Sequence, residues 1–156
     1  AHIESFVANS FRSVWALDLL KYLAGNPGQF FSSEELIAVL RGEPDAPLLL
    51  GAMLRESIVR ISAGTLLETR IVAEREGRGS SEVDELIAEV GVDVVPTDVR
   101  QVGLAFDGFR RFGKGRHPAG LNFGDLFAYA LAKAGGEPLL FKGDDFGQTD
   151  VESAVK

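Results

Sequence analysis

The sequence contains no cysteine, and its only histidines are His2 and His117. The absence of cysteine excludes disulfide bonds and any metal site with thiolate ligands. With only these two histidines, a histidine-rich zinc site and a local Ser/His/Asp triad are both disfavoured. Any metal bound by this chain is therefore expected to have oxygen ligands, which Mg²⁺, Mn²⁺ and Ca²⁺ prefer.

Long hydrophobic runs and an excess of basic charge are also missing. The longest apolar run, roughly Pro47 to Leu54, is far shorter than the ~20 residues that cross a bilayer. The first residues lack the basic region and apolar core of a signal peptide, so we expect a cytoplasmic protein without membrane contact. The net charge of −7, from 16 basic and 23 acidic residues, argues against non-specific coating of nucleic acid. It does not exclude a nuclease, whose active site must be acidic to bind divalent cations.

From residue 58 onward, short runs of β-branched residues alternate with helical patterns. Strands are predicted at Ile58–Ile61, Val92–Pro96 and Pro138–Phe141. Helices are predicted between and after the first two strands, at about 63–76, 82–90, 98–112 and 122–133. This alternation predicts an α/β fold with a mainly parallel sheet and helices on both faces.

The first 42 residues follow a helical pattern instead. One helix is predicted over 13–24, and the capping signature Ser32–Glu35 begins a second short helix that ends at Gly42. The segment Glu43–Pro47 breaks the chain, and Pro47 begins a third short helix. We therefore expect two parts, a helical segment over 1–42 and an α/β domain over 43–156.

Several acidic residues lie where the predicted strands end at their carboxyl edge. Glu68 is in the first two turns of the helix after the first strand, and Asp125 is in the first turn of the helix that begins at Asn122. Asp144 and Asp145 follow the last strand. Active sites of parallel sheets lie at this edge, and carboxylates that converge there could share one or two hard cations. A second interpretation is that these acids only stabilise helix N-termini through the helix dipole.

Three stretches in this order resemble the motifs of PIN-domain ribonucleases, the VapC-type toxins of VapBC toxin–antitoxin pairs. Residues 60–68 resemble the second acidic motif, and 110–125 resemble the basic loop with the third acid. Residues 139–146, with Thr149 and Asp150 after them, are similar to the fourth motif. The resemblance covers about residues 43–151.

The resemblance implies an endoribonuclease that depends on Mg²⁺ or Mn²⁺ and acts through a metal-activated water. Glu68, Asp125 and either Asp144 or Asp145 would be the inherited metal ligands, and Asp144 is the one of the two that we name as the ligand. The residues that would contact RNA phosphates lie in the basic loop: Arg110, Arg111, Lys114, Arg116 and His117. A solvated surface is the alternative interpretation of that loop. The partners implied are an RNA substrate and an antitoxin protein.

One motif of the family is missing from its expected place. Members begin with a strand that ends in an acid, about a dozen residues before the segment Glu43–Ala46. The nearest strand-like stretch, Val7–Ser10, carries Asn9 instead of an acid, and an amide has no charge and cannot act as a base. We expect the vacant sheet position to be filled by a strand at Ile3–Ala8, or covered by a second copy of the chain in a homodimer.

Residues 10–42 resemble the first two helices of a winged-helix domain. The sequence is thus typical of a winged-helix fragment joined to a PIN domain without its first strand, a natural or engineered chimera. Two functions follow: a metal-dependent ribonuclease, weakened by the missing acid, or a catalytically inactive recombined fold with a structural or binding role. The sequence leaves enzymatic activity undecided between them.

Overall fold

The computed structural model of the chain describes residues 29–54 and 59–154. Within these ranges four short strands form one sheet: β1 (Gln29–Phe31), β2 (Val59–Ser62), β3 (Val92–Val95) and β4 (Leu139–Leu140). The strand order is β3-β2-β1-β4, and every neighbouring pair is parallel. β1 and β2 are therefore the central strands, and all four strands end at the same edge.

Helices connect the strands, as the alternating pattern predicts. In chain order they are α1 (Ser33–Arg41), α2 (Ala46–Leu54), α3 (Ala63–Arg75), α4 (Ser80–Val90), α5 (Val99–Phe112) and α6 (Asp125–Gly135). A 3₁₀ helix follows at Phe146–Gln148. The predicted α/β fold class is confirmed. None of the helices in the described ranges is long and apolar enough to span a membrane.

Local capping signals explain where several helices begin and end. Ser32 and Glu35 form a reciprocal capping box at the start of α1, and Gly42 ends that helix with a φ of 66°. Asp98 caps α5 by accepting a hydrogen bond from the Gln101 amide. α6 begins three residues later than predicted, because Asn122 precedes the helix and its side chain accepts a hydrogen bond from an amide in the first turn.

β1 is the strand that the sequence pattern did not predict. It pairs with β2 through Gln29 and Val59 and with β4 through Phe31 and Leu140. A strand of three residues is too short to show the alternation that identifies strands in a sequence. The strand predicted at Ile3–Ala8 and the helix over 13–24 both lie outside the described residues.

Residues on both sides of Glu43 share one hydrophobic core. Leu36 and Val39 of α1 pack with Leu50 and Met53 of α2 and with Ile61 of β2, and all of these side chains are buried. In the described residues one core therefore extends across the point after residue 42, and the predicted division into two parts stays a prediction. The winged-helix resemblance falls mostly outside the described ranges and stays a prediction.

A second core cluster joins α5 and α6 on the other side of the sheet. Tyr129 of α6 is 2% exposed and packs against Phe112 at the end of α5. Leu121, which follows the loop between the two helices, is buried in the same cluster. This packing fixes the start of α6, where Asp125 lies, relative to the carboxyl edge of the sheet.

Candidate active site

A cavity of about 350 Å³ lies beside the start of α1, and we call it the acid cavity. Its polar lining includes Ser33, Glu34, Glu68, Asn122 and Asp125. These residues follow β1, follow β2 and begin α6, so separate elements deliver them to one place. The position agrees with the rule that sites of parallel sheets form outside the carboxyl ends of the strands.

Asp125 is the most buried acid of the cavity, with 6% of its surface exposed. Its Oδ2 accepts a hydrogen bond of 2.8 Å from the Asn122 amide, and its own amide donates to Asn122 Oδ1 at 3.1 Å. The pKa of Asp125 is raised to about 6, mainly by burial and also by the negative charges of Glu34, Glu68 and Asp145, against the lowering effect of the Asn122 hydrogen bond. The carboxylate is thus held in one orientation in a negative field.

Glu68 lies between the starts of two helices. The Ser33 hydroxyl donates a hydrogen bond of 2.7 Å to Glu68 Oε2. On its other side the carboxylate lies against Gly124, where an added Cβ would come within 1.9 Å of Oε1. Glycine at position 124 leaves room for the carboxylate where it lies, and a larger residue there would require the end of the Glu68 side chain to move.

Glu34 and Asp145 complete the negative field. Partial burial raises the pKa of Glu34, and the charges of Asp145 and Glu68 raise it further. Asp145 is among the leading charges on both Glu34 and Asp125, whereas Asp144 is among the leading charges on neither. Both aspartates are exposed and neither lines the acid cavity, so the choice between them stays a prediction.

The donor set of the cavity fits a hard divalent cation. It offers carboxylates, the Asn122 amide and the Ser33 hydroxyl, all of them oxygen donors of the kind that Mg²⁺ and Mn²⁺ prefer. Within the described ranges, no three acidic or histidine side chains lie close enough together to coordinate one ion. Mg²⁺ commonly binds to one or two carboxylates, with water and substrate phosphate as its other ligands. A cage of three protein carboxylates is therefore not required.

Two cations at the rim of the cavity are held in ion pairs. Lys142 pairs with Glu43 and, at 3.0 Å, with Asp45, while Arg41 pairs with Glu76 and, at 3.2 Å, with Glu43. Both cations line the acid cavity, and the sequence prediction named neither. The signal for Lys142 was its place directly before Gly143 and the two candidate aspartates.

The predicted RNA-contacting residues lie away from the lining of the acid cavity. Arg111 donates to Asp150 Oδ2 at 2.8 Å, and Arg116 stacks over the Phe109 ring at 4.7 Å. His117 Nδ1 accepts a hydrogen bond from the Ala119 amide at 3.1 Å. Arg110 and Lys114 have exposed side chains. The basic loop thus contains exposed cations, whereas Arg111 and His117 form hydrogen bonds within the chain.

Sequence reasoning missed Ser33 and Glu34 as site residues. The stretch Ser32–Glu35 was interpreted only as a capping signature for a helix start, which is correct as far as it goes. The signal that was missed is the distance along the chain. Ser32 lies eleven residues before Glu43, close to where the family resemblance expects the first acid.

Comparison with known proteins shows the family to which the chain belongs. Residues 35–152 match the PIN domain. The chain belongs to the PIN-domain family. It is similar to the ribonuclease VapC of Mycolicibacterium smegmatis, with 49% identity over 118 residues that cover 74% of this chain and 92% of that protein. It is also similar to the ribonuclease VapC30 of Mycobacterium tuberculosis, with 45% identity over 77% of this chain and 93% of that protein.

Solved structures share the PIN-domain fold. A toxin–antitoxin complex from Klebsiella pneumoniae matches with a TM-score of 0.61 and 16% identity, covering 79% of this chain and 93% of that chain. VapC20 of Mycobacterium tuberculosis, described as a sarcin–ricin loop cleaving toxin, matches with a TM-score of 0.60 and 20% identity over 80% and 98% of the two chains. The resemblance that the sequence motifs indicated is confirmed, both in sequence and in fold.

Proposed function

We propose that this PIN-domain protein is the toxin of a toxin–antitoxin pair and a metal-dependent endoribonuclease. The observation that carries the proposal is the acid cavity, where Glu34, Glu68 and Asp125 from three separate helices line one space. The similarity to proteins named VapC ribonucleases supports RNA as the substrate. RNA cleavage in turn supports the cytoplasm as the place of action.

Each residue of the cavity has a distinct role in this proposal. Glu68, Asp125 and one of Asp144 and Asp145 would hold Mg²⁺ or Mn²⁺, one or two of them directly and the rest through coordinated water. A bound divalent cation would lower the pKa of a coordinated water and polarise the scissile phosphate. Asn122 keeps the Asp125 carboxylate oriented through the two reciprocal hydrogen bonds, and Ser33 does the same for Glu68. The chain thus positions its acids before substrate binds.

The basic loop would bind the RNA backbone on the way to the cavity. Arg110, Lys114 and Arg116 expose their cations on a protein that is otherwise acidic, so a local patch can attract phosphates. Arg111 and His117 belong to the same predicted set, but their intramolecular contacts give them the additional role of fixing the loop. Lys142 at the cavity rim is a further candidate for phosphate contact.

An antitoxin protein and a second copy of the chain are the partners we propose. The similarity in fold to a chain of a toxin–antitoxin complex supports the first. Exposed apolar side chains on α5 and beside α6 support a protein partner, because water-exposed apolar clusters commonly mark such contacts. A homodimer is the assembly we expect when no antitoxin is present.

One observation favours the second function, a catalytically inactive recombined fold. The central strand β1 is followed by Ser32 and Ser33, where the family resemblance places an acid. A neutral hydroxyl cannot replace the charge of a carboxylate. If that charge is indispensable, the remaining acids are a remnant of an ancestral site.

Cleavage of a labelled, structured RNA distinguishes the two functions. We expect cleavage by the wild-type chain with Mg²⁺ or Mn²⁺ and none with a chelator. We expect a loss of about 100-fold or more in Asp125→Asn, because the variant lacks the most buried acid of the cavity. The matched control is Glu85→Gln, which removes one charge from an exposed position on α4. A folded wild-type chain that cleaves no RNA under any of these metals would contradict the ribonuclease proposal.

A further inference from the structure

The end of β1 faces the acid cavity without an acid of its own. In the chain order Ser32-Ser33-Glu34-Glu35, two hydroxyls come first and two carboxylates follow in the first turn of α1. Four consecutive side chains at a helix start point in different directions. Only some of them can therefore serve the cavity, and the contacts decide which.

Two of the four turn into the protein interior. The Ser32 amide and hydroxyl both donate to Glu35 Oε2, at 2.8 and 2.5 Å, and Glu35 is fully buried. This pair closes the capping box of α1 and does not line the acid cavity. Glu35 is therefore a structural carboxyl group, with no path to a substrate.

The other two line the cavity. The Ser33 hydroxyl donates a hydrogen bond to Glu68 Oε2, so the role of Ser33 is to orient a neighbouring acid. Glu34 remains as the one carboxylate of this turn that faces the cavity, and its side chain is exposed there. A glutamate carboxylate also reaches one methylene farther than an aspartate, which suits a position beyond the strand end.

The electrostatic coupling agrees with this placement. Among the charges that raise the pKa of Asp125, that of Glu34 comes first, before those of Glu68 and Asp145. The charges of Asp145 and Glu68 in turn act on Glu34. Glu34 thus shares the field of the acids that come from the other elements, although it enters from α1.

We propose that Glu34 is a ligand for the divalent cation and replaces, from the first turn of α1, the acid that is missing at the end of β1. The inference rests on the proposed ribonuclease function, since it concerns the same cation. It assigns to Glu34 a role that its position at a helix N-terminus would otherwise explain by the helix dipole alone.

Binding of Mn²⁺ to the full chain, without RNA, tests the proposal. Free Mn²⁺ is followed by electron paramagnetic resonance for the wild type, Glu34→Gln, Asp125→Asn and the control Glu85→Gln, with circular dichroism to verify folding. We expect Glu34→Gln to weaken Mn²⁺ binding about tenfold or more, Glu34→Asp to retain part of it, and Glu85→Gln to match the wild type.

The outcomes separate the two proposals. If the wild type binds Mn²⁺, Asp125→Asn loses it and Glu34→Gln binds like Glu85→Gln, the Glu34 inference is overturned while the ribonuclease proposal stands. A Glu34→Gln variant that loses thermal stability but keeps its Mn²⁺ affinity also overturns the inference, because a helix-dipole role alone predicts that result. A wild type that binds no Mn²⁺ and cleaves no RNA overturns both.

Discussion

At the scale of single residues, the first turn of α1 gives two neighbouring carboxylates different environments. Glu34 opens to the acid cavity, whereas Glu35 is fully buried with one oxygen bonded to Ser32 and the other, Oε1, without a partner in the described residues. Burial raises the pKa of Glu35 to about 7, against the hydrogen bonds from Ser32 that lower it. A buried carboxyl of this kind makes folding stability depend on pH near neutrality.

We expect the Glu35 carboxyl to weaken the fold as the pH rises. Its pKa increases from 4.5 to about 7 on folding, so the folded chain binds the proton more tightly. This contribution to stability is fully present below pH 4.5 and is lost as the pH rises through about 7. Glu35→Gln stays neutral, so its free energy of unfolding should fall less than that of the wild type over this window, the difference being roughly 3 kcal/mol. Urea unfolding at a series of pH values measures the difference, and parallel curves for the two proteins would contradict it.

At the scale of elements, the approach of α5 to α6 depends on one glycine. An added Cβ at Gly108 would lie 2.6 Å from the Tyr129 ring, whereas one at Gly103 on the same helix would meet no atom within 4 Å. The Tyr129 ring has little freedom to move, because its hydroxyl donates to Asp150 at 2.9 Å and Asp150 also binds Arg111. Gly108 therefore sets the distance between the two helices.

The pair Gly108→Ala and Gly103→Ala tests this dependence. The first variant should lower the free energy of unfolding by about 1–3 kcal/mol, because the methyl group overpacks the helix contact. The second should raise it by about 0.5–1 kcal/mol, because alanine favours the helix and its methyl group meets open space. Chemical denaturation of both variants measures the two signs. An equal stabilisation in both would show that α5 and α6 are not in close contact at Gly108.

At the scale of the whole molecule, an acidic chain carries an exposed apolar surface. Phe106 and Val102 on α5 are 59% and 57% exposed, and Phe123, just before α6, is 78% exposed. These side chains line one apolar groove together with Phe109 and Phe127. A surface of this kind is unfavourable in water and favourable in a protein contact.

We expect the isolated chain to dimerise through this surface. Phe106→Glu places a charge in the contact and should shift the chain toward monomer at micromolar concentration. Leu48→Glu, the same chemical change at a 40% exposed position on α2, is the matched control and should leave the dimer intact. Sedimentation velocity over a range of concentrations measures both. A wild type that stays monomeric throughout, or a monomer produced equally by Leu48→Glu, would contradict this expectation.

The sequence by itself determined the features that local interactions control. The helices from α3 to α6 follow from periodic apolar residues and from caps such as Asp98, and these interactions join residues a few positions apart. The motifs around Glu68 and Asp125 identified the family without any structure, because their spacing along the chain is itself the signal. The order of strands and helices then sufficed to predict the α/β class.

Only the tertiary structure decided what depends on residues far apart in the chain. β1 is three residues long, and it exists as a strand because β2 and β4 provide partners at Val59 and Leu139. The exposure of Glu34 to the acid cavity depends on how α1, α3 and α6 converge. Such contacts leave no periodic pattern in a sequence, since each pairs residues whose separation is set by the fold.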